Sequence, residues 1–227
     1  MQKKLKELSD TEKAEIYKRF FKSGKGQYGE GDLFLGITVP KCRLIAKEFQ
    51  DLELNEIEKH LKSKWHEERL IALLILVEKF KKNKDKKIVD FYLENTKFIN
   101  NWDLVDLSAD KILGAFFIDK DKKKLYEMAL SQDLWEKRIS IISTFYFIKN
   151  NKFEDTLKIS KILLKDKHDL IHKAVGWMLR EVGKRDIQIL KDFLRENYDN
   201  LPRTTLRYAI EKFPEAERKN WLMRQGI

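Results

Sequence analysis

Residues 69–76, Arg-Leu-Ile-Ala-Leu-Leu-Ile-Leu, place a charged residue ahead of an apolar run, and this pattern recurs along the chain. The later copies begin at Asp103, Arg138, Lys173 and Arg207, so the leading residues are 34, 35, 35 and 34 positions apart. A fixed period of this length is typical of helical-repeat proteins, in which each repeat buries its apolar face against its neighbours. The pattern therefore predicts a stack of similar units.

A second amphipathic segment lies between successive copies, so each repeat is predicted to contain an outer and an inner helix. These outer segments begin at Asp85, Lys123, Glu154 and Asp186. The period also suits a tetratricopeptide repeat, but the Trp, Gly, Tyr and Pro signature of that repeat is missing, which favours a HEAT-like repeat. We predict an all-α HEAT-like solenoid of about a dozen helices with a concave basic face.

The predicted solenoid is a single domain over residues 1–227. An early copy of the pattern, Arg43-Leu-Ile-Ala, lies only 26 residues before Arg69, so an irregular N-terminal unit of about residues 1–63 is expected ahead of regular repeats at about 64–227. The chain contains only 9 Gly and 3 Pro, and this scarcity favours long helices. Residues 1–20 are interpreted as one charged amphipathic helix and not as a signal peptide.

Several residues mark expected helix ends. Pro40 and Pro202 lie near predicted helix starts, where the missing N–H costs little. Pro214 is expected to break the last helical run. Asp133 and Asp186 are predicted N-caps, because a carboxylate can accept hydrogen bonds from the first free amides of a helix.

The charge balance points to a polyanionic partner. The chain has 47 Lys and Arg against 37 Asp and Glu, a formal net charge of +10, and clustered cations bind phosphates by displacing condensed counterions. A Lys-rich solvated surface is the alternative. The cations that follow the inner helices favour a phosphate-binding groove; they are Arg69, Arg138, Lys173, Arg180 and Arg207, with Lys184, Arg185 and Arg203 nearby.

Other residue types exclude several classes of site. One cysteine, Cys42, allows no intrachain disulfide and is expected to be a packing residue. His168 and His172 are four apart but lack a third ligand, so no metal is expected, and no cofactor either. Residues 24–32 are rich in Gly but lack phosphate-loop spacing, so they are interpreted as a flexible connection, with a DNA-facing loop as the alternative. The longest apolar run is too short for a membrane span, and a soluble, cytoplasmic monomer is expected.

One position of the repeat carries an unexpected carboxylate. Three residues after each leading residue stand Ala72, Asp106, Ile141, Gly176 and Ile210. An aspartate at a position that is otherwise small or apolar is costly to bury unless it is partnered or faces a cleft. Asp106 is therefore predicted either to cap a neighbouring helix inside the core or to face a groove.

Aromatic and basic residues in the same register favour the groove. Trp102 precedes Asp106 by one helical turn, Arg138 leads the next repeat, and Trp177 follows Gly176, which is expected to open room on the concave surface. Each tryptophan alone would suggest core packing. The combination predicts a surface that carries indoles, a cation and one carboxylate, with no obvious pocket for a base.

Four motifs resemble those of the AlkD-type DNA alkylation repair glycosylases, in the same order and across nearly the whole chain. They are Phe34-Leu-Gly-Ile-Thr-Val-Pro40, Asn101-Trp-Asp-Leu-Val-Asp106, Trp135-Glu-Lys-Arg138 and Val175-Gly-Trp-Met-Leu-Arg-Glu181. The resemblance implies hydrolysis of the N-glycosidic bond of 3-methyladenine and 7-methylguanine in double-stranded DNA, with the base left largely stacked. It implies that Asp106 is the catalytic carboxylate.

The resemblance also implies roles for neighbouring residues. Trp102 and Trp177 match an aromatic pair beside the lesion nucleotide, and Arg138 matches a basic residue at the lesion-side backbone. Asn101 departs from the pattern, because some members have a second tryptophan there, and this puts the substrate range in question. The residues expected to bind the DNA backbone are Lys173, Arg180, Arg203 and Arg207.

The chemistry agrees with these residue types. A purine alkylated at N3 or N7 is cationic and leaves without acid catalysis, so a carboxylate needs only to stabilise the oxocarbenium-like sugar and position water. Two other functions remain open from the sequence: a non-catalytic module that binds distorted or branched DNA, and a protein–protein scaffold, which is a common use of a helical-repeat surface.

Overall fold

The computed structural model describes residues 1–225, and within that range it contains helices and no β-strand. The α-helices are α1 (Gln2–Leu8), α2 (Thr11–Phe20), α3 (Val39–Glu48), α4 (Leu54–Leu61), α5 (His66–Asn83), α6 (Lys86–Glu94), α7 (Trp102–Asp106), α8 (Ala115–Phe117), α9 (Lys123–Ala129), α10 (Leu134–Lys149), α11 (Glu154–Leu163), α12 (Asp169–Gly183), α13 (Ile187–Asn197), α14 (Arg203–Ala209) and α15 (Glu215–Met223). Short 3-10 helices span Thr96–Phe98 and Tyr198–Asn200, and a π-helix spans Asp110–Gly114. The predicted all-α class is confirmed.

The chain forms two compact units, the first over Met1–Ile112 and the second from Leu113 onward. The single domain expected over residues 1–227 stays a prediction. No helix among the described residues is both long and apolar enough to cross a membrane.

The C-terminal unit has the packing of a helical repeat. Helices α10, α12 and α14 pack successively in an inner layer, and α9 and α11 contact each other in an outer layer. Each outer helix also packs on the inner helix that follows it in the α9–α10 and α11–α12 pairs. This arrangement confirms the predicted pairs of outer and inner helices and the repeat of about 35 residues.

Gly176 allows two of these inner helices to approach closely. It is buried in α12, and a Cβ atom there would lie 2.7 Å from the Thr205 carbonyl oxygen of α14. The expectation that Gly176 opens room on a surface is therefore wrong. The missing side chain is used at a helix crossing, because only a hydrogen atom fits between the two backbones.

The N-terminal unit is built around α5, against which α3, α4, α6 and α7 pack. The apolar run Leu70–Val77 is buried, as a central helix requires. The four residues ahead of that run, His66 to Arg69, are buried as well, although all are polar. Three of these residues, His66, Glu67 and Arg69, form buried hydrogen bonds or ion pairs with residues outside α5.

Residues 1–20 form two helices, α1 and α2, and the prediction of one continuous helix is wrong. The break falls at Ser9 and Asp10, where Ser9 has extended backbone (φ −66°, ψ 148°). The Asp10 side chain accepts a hydrogen bond from the Lys13 amide at 3.0 Å, and so caps α2. The charged, amphipathic pattern continued across the break because both helices present a polar face to solvent.

The predicted helix ends are confirmed. Asp133 accepts hydrogen bonds from two amides at the start of α10, and Asp186 does the same for α13. Pro40 is the second residue of α3, Pro202 directly precedes α14, and Pro214 separates α14 from α15.

Candidate active site

A pocket of about 290 Å³ opens in the N-terminal unit between α2, α5 and α7. Much of its wall is aromatic, and three carboxylates also line it. The aromatic residues are Tyr17, Phe20, Phe21 and Trp102, and the carboxylates belong to Glu67, Asp103 and Asp106. The sequence indicated no such pocket, because residues from α2, which carries no recognisable motif, form one side of it.

Asp106 is the last residue of α7 and is partly exposed at this pocket. The residues at the same repeat position, Ala72, Ile141 and Ile210, are at most 1% exposed. Asp106 thus lines a cavity at a position that is buried in the other copies, which agrees with the second of the two interpretations drawn from the sequence.

Trp102 begins α7 one turn before Asp106 and lies half-buried on the same pocket. Its indole stacks on Phe21, with ring centroids 5.4 Å apart and an interplanar angle of 27°. Phe20 meets the indole edge-on at 5.7 Å and is itself 58% exposed. An aromatic surface of this kind favours a cationic or planar ligand.

Beneath the pocket lies a buried network of charged residues. His66 Nε2 is 2.8 Å from Asp103 Oδ2, and His66 Nδ1 is 3.4 Å from Asp32 Oδ2. Arg69 Nη2 lies 2.7 Å from Asp32 Oδ1, and Asn100 donates to the same oxygen. Burial is the largest single effect and opposes protonation of His66, but the carboxylates of Asp103 and Asp32 together outweigh it and raise the pKa of His66 to about 9.

This network corrects one expectation and adds residues that sequence reasoning missed. Arg69 was expected among the cations of a phosphate-binding face, but it is buried and paired with Asp32. An arginine with a nearby carboxylate can be buried at the start of a helix as an ion pair. The signal in the sequence is the run His-Glu-Glu-Arg directly ahead of an apolar segment. It places four polar residues on the first turn of a buried helix.

Glu67 anchors the loop that forms the opposite wall. Its carboxylate accepts hydrogen bonds from the amides of Leu35, Gly36 and Ile37 at 2.9, 2.8 and 3.2 Å. Gly36 has a φ of 76°, and a Cβ there would lie 2.1 Å from the Asp10 carbonyl oxygen. The Phe34–Pro40 motif is therefore held by a side chain of α5 and admits only glycine at its tightest point.

Asn101 does not line the pocket. It is fully buried and precedes α7 as its N-cap residue, with its side-chain oxygen accepting from the Trp102 amide at 2.9 Å. The departure from the family pattern at this position thus affects how α7 begins. The pocket's aromatic wall is completed instead by Phe20 and Phe21.

The remaining aromatic residue of the prediction lies in the C-terminal unit. Trp177 is half-buried on α12, with its ring centroid 5.6 Å from that of Phe145 on α10. Lys173, Trp177 and Arg180 share one face of α12 by their spacing of four and three residues. Lys173 pairs with Asp169 at 2.8 Å, and Arg180 pairs with Glu211.

The other predicted DNA-binding cations differ in exposure. Arg203 and Arg207 are exposed one turn apart on α14, and Arg203 donates to the Leu222 carbonyl at 2.6 Å. Arg138 is only 5% exposed and donates to the Leu170 carbonyl at 2.6 Å. A substitution of Arg138 therefore alters the packing between α10 and the start of α12 as well as any contact with DNA.

Cys42, His168 and His172 contribute to packing and to hydrogen bonding within the fold. Cys42 is buried in α3, and burial raises the pKa of its thiol to about 12, as suits the expected packing residue. His168 is the N-cap of α12 and accepts a hydrogen bond from the Leu170 amide, whereas His172 Nε2 donates one to the Asp166 carbonyl oxygen.

Comparison with known proteins agrees with this arrangement. The family described as DNA alkylation repair enzyme matches residues 1–213. A solved structure described as a predicted DNA alkylation repair enzyme from Enterococcus faecalis superposes with a TM-score of 0.72 at 18% identity, covering 91% of this chain and 97% of the other. The search of curated protein sequences found no match. Because the family match takes in both units' motifs and the pocket that holds Asp106, this chain belongs to the DNA alkylation repair enzyme family.

Proposed function

We propose that this chain is a DNA glycosylase that excises cationic alkylated purines, 3-methyladenine and 7-methylguanine, from double-stranded DNA. Membership of the DNA alkylation repair enzyme family supports a damaged-DNA substrate. The observation that carries the finer proposal is the partly exposed carboxylate of Asp106, one turn from Trp102, in a pocket walled by aromatic rings.

The proposed reaction needs few groups. Alkylation gives the purine a positive charge, so the base departs with the electron pair of the N-glycosidic bond and requires no protonation. The sugar then gains oxocarbenium character, which the Asp106 carboxylate stabilises electrostatically. Water adds to the anomeric carbon and loses a proton, and the same carboxylate is proposed to orient that water and accept the proton.

Trp102 is proposed to lie beside the lesion nucleotide. Its indole stacks on Phe21 and lines the pocket, where it can offer a cationic partner about 0.5–2 kcal/mol of attraction. Trp177 and Arg138 are proposed to contact the lesion strand, as the resemblance to the family implies. Lys173, Arg180, Arg203 and Arg207 are proposed to bind phosphates, and no metal or cofactor takes part in the scheme.

A base-release assay on methylated duplex DNA tests the proposal. The Asp106→Asn variant keeps the shape of the side chain but removes its charge, so we expect unchanged DNA affinity and at least about a 100-fold loss of 7-methylguanine release. The control is Asp90→Asn, which also removes one negative charge but lies on α6 outside the pocket, with its side chain 46% exposed and paired with Lys86. Release by Asp106→Asn at the rate of the control would refute the catalytic role.

The same assay, combined with binding measurements on duplex and junction DNA, separates the competing functions. Tight binding to lesion-free junctions without base release from any methylated substrate would favour a non-catalytic DNA-binding module. Duplex affinity that hardly changes with salt would favour a protein–protein scaffold, since phosphate contacts produce a steep salt dependence.

A further inference from the structure

We propose that His66 is a positioning residue for Asp106, because it holds α7 against the start of α5 through Asp103 and so fixes the direction in which Asp106 faces the pocket. This inference rests on the proposed function. His66 does not belong to any of the motifs by which the chain resembles the glycosylases.

The contacts of His66 connect both ends of its ring to the site. Nε2 meets Asp103 on α7 at 2.8 Å, and Nδ1 meets Asp32 at 3.4 Å. The imidazole also packs at 4.7 Å on the ring of Phe21, which in turn stacks on Trp102. One buried side chain thus contacts the carboxylate next to Trp102 and the ring that supports the indole.

Helix α7 depends on such anchors. It has only five residues, and a helix this short is unstable without tertiary contacts. Asp103 and Asp106 lie three residues apart, within a single turn, so a rotation of α7 that releases Asp103 also redirects Asp106. Asp103 connects this turn to α5 by a direct side-chain hydrogen bond to His66.

The protonated form of His66 suits this position. Its ring faces the carboxylates of Asp32 and Asp103, and the guanidinium of Arg69 lies on the far side of Asp32. A neutral imidazole can donate from only one nitrogen and would turn a lone pair toward the other carboxylate. The raised pKa of His66, about 9, agrees with a cation that donates to both at neutral pH.

The test compares three variants with the wild-type chain. His66→Gln keeps one donor but removes the charge. Asp103→Asn leaves His66 in place and weakens its partner. Ile57→Ala is the control, because Ile57 is fully buried in α4 of the same unit and is neither one of the pocket-lining residues nor a member of the charged network. For each we would measure the unfolding temperature, the affinity for a methylated duplex, and the rate of base release in a single turnover at saturating enzyme.

We expect His66→Gln and Asp103→Asn to lower the saturated rate about 10- to 100-fold, since a displacement of about 1 Å can have an effect of this size. DNA affinity should change less than about twofold, because phosphate contacts dominate it. Ile57→Ala should keep the wild-type rate although it lowers the unfolding temperature. Nitrogen chemical shifts of the imidazole, followed by NMR from pH 6 to 10, should show His66 doubly protonated at pH 8 in the wild-type chain and deprotonating earlier in Asp103→Asn.

The outcomes separate this inference from the proposed function. Wild-type rates in His66→Gln and Asp103→Asn, beside an inactive Asp106→Asn, would overturn the role of His66 and leave the glycosylase intact. An equal loss of rate in Ile57→Ala would overturn it too, since general destabilisation would then explain the effect. If His66→Gln does not fold, the Asp103→Asn rate and the imidazole shifts decide the question. No base release by the wild-type chain would overturn both proposals.

Discussion

His66 Nε2 and Asp103 Oδ2 lie 2.8 Å apart in the N-terminal unit, where both side chains are at most 6% exposed. A hydrogen bond in such surroundings gains strength from the low local dielectric, and it becomes costly when one partner loses its charge. The pair therefore makes the stability of this unit depend on pH.

We expect the free energy of unfolding to fall on the alkaline side. The folded-state pKa of His66 is raised from 6.5 to about 9, so its stabilising contribution is complete below pH 6.5 and is lost as the pH rises through 9. The loss should amount to at most a few kcal/mol, since one pKa unit corresponds to about 1.4 kcal/mol. Urea unfolding at several pH values would measure it. In His66→Gln this part of the pH dependence should be missing, and an unchanged alkaline slope in that variant would contradict the assignment.

We expect two glycines with nearly the same backbone angle to respond differently to alanine. Gly36 and Gly26 have φ values of 76° and 75°. At Gly36 a Cβ would collide with the Asp10 carbonyl oxygen at 2.1 Å, whereas at Gly26 nothing lies within 4 Å. Gly26→Ala should therefore lower the free energy of unfolding only by the strain of an alanine in the left-handed conformation, about 1–2 kcal/mol. Gly36→Ala should lower it clearly more. Urea unfolding of both variants would measure the two losses of stability. Equal losses would show that the backbone around Asp10 shifts to make room for a Cβ at position 36.

We expect the exposed cations of α14 to contribute to DNA affinity more than those of the outer layer. Arg207→Ala should weaken binding to any duplex and reduce the salt slope by about 1, the value for one phosphate contact. Lys123→Ala, which removes a cation that is 79% exposed on the outer helix α9, is the control and should change neither quantity. Titrations at several salt concentrations would give both slopes. Equal effects of the two substitutions would show that net charge, and not a particular face, attracts DNA.

Periodicity was enough to predict the helical pairs, because a repeat that buries one face of each helix repeats its apolar spacing in the sequence. Asp133, Asp186 and the three prolines marked helix ends correctly, since each acts on the backbone within one turn. The charge and apolar pattern does not predict the break at Asp10, because both helices are amphipathic and the polar pattern continues across it. Features that depend on residues within one or two turns of a helix could thus be predicted from the sequence.

The candidate site could be predicted only in part. Asp106 and Trp102 were recognisable because one carboxylate interrupts an otherwise apolar register and an indole lies one turn away. The pocket, the buried pairing of Arg69 and the contacts of His66 depend on residues that are more than 30 positions apart, such as Asp32 and Asp103. Side-chain pairs at such separations leave no periodic signal, so only the folded chain reveals them.

The close crossing of α12 and α14 at Gly176 has a consequence for its neighbour, Trp177. The indole of Trp177 directly follows this crossing and packs on Phe145, so part of its conformational freedom is already lost in the folded chain. The side chain of Trp177 then loses conformational entropy during folding, and less remains to be lost when a partner binds. A surface that is preorganised in this way could bind a rigid DNA duplex without a lid or a loop having to become ordered first.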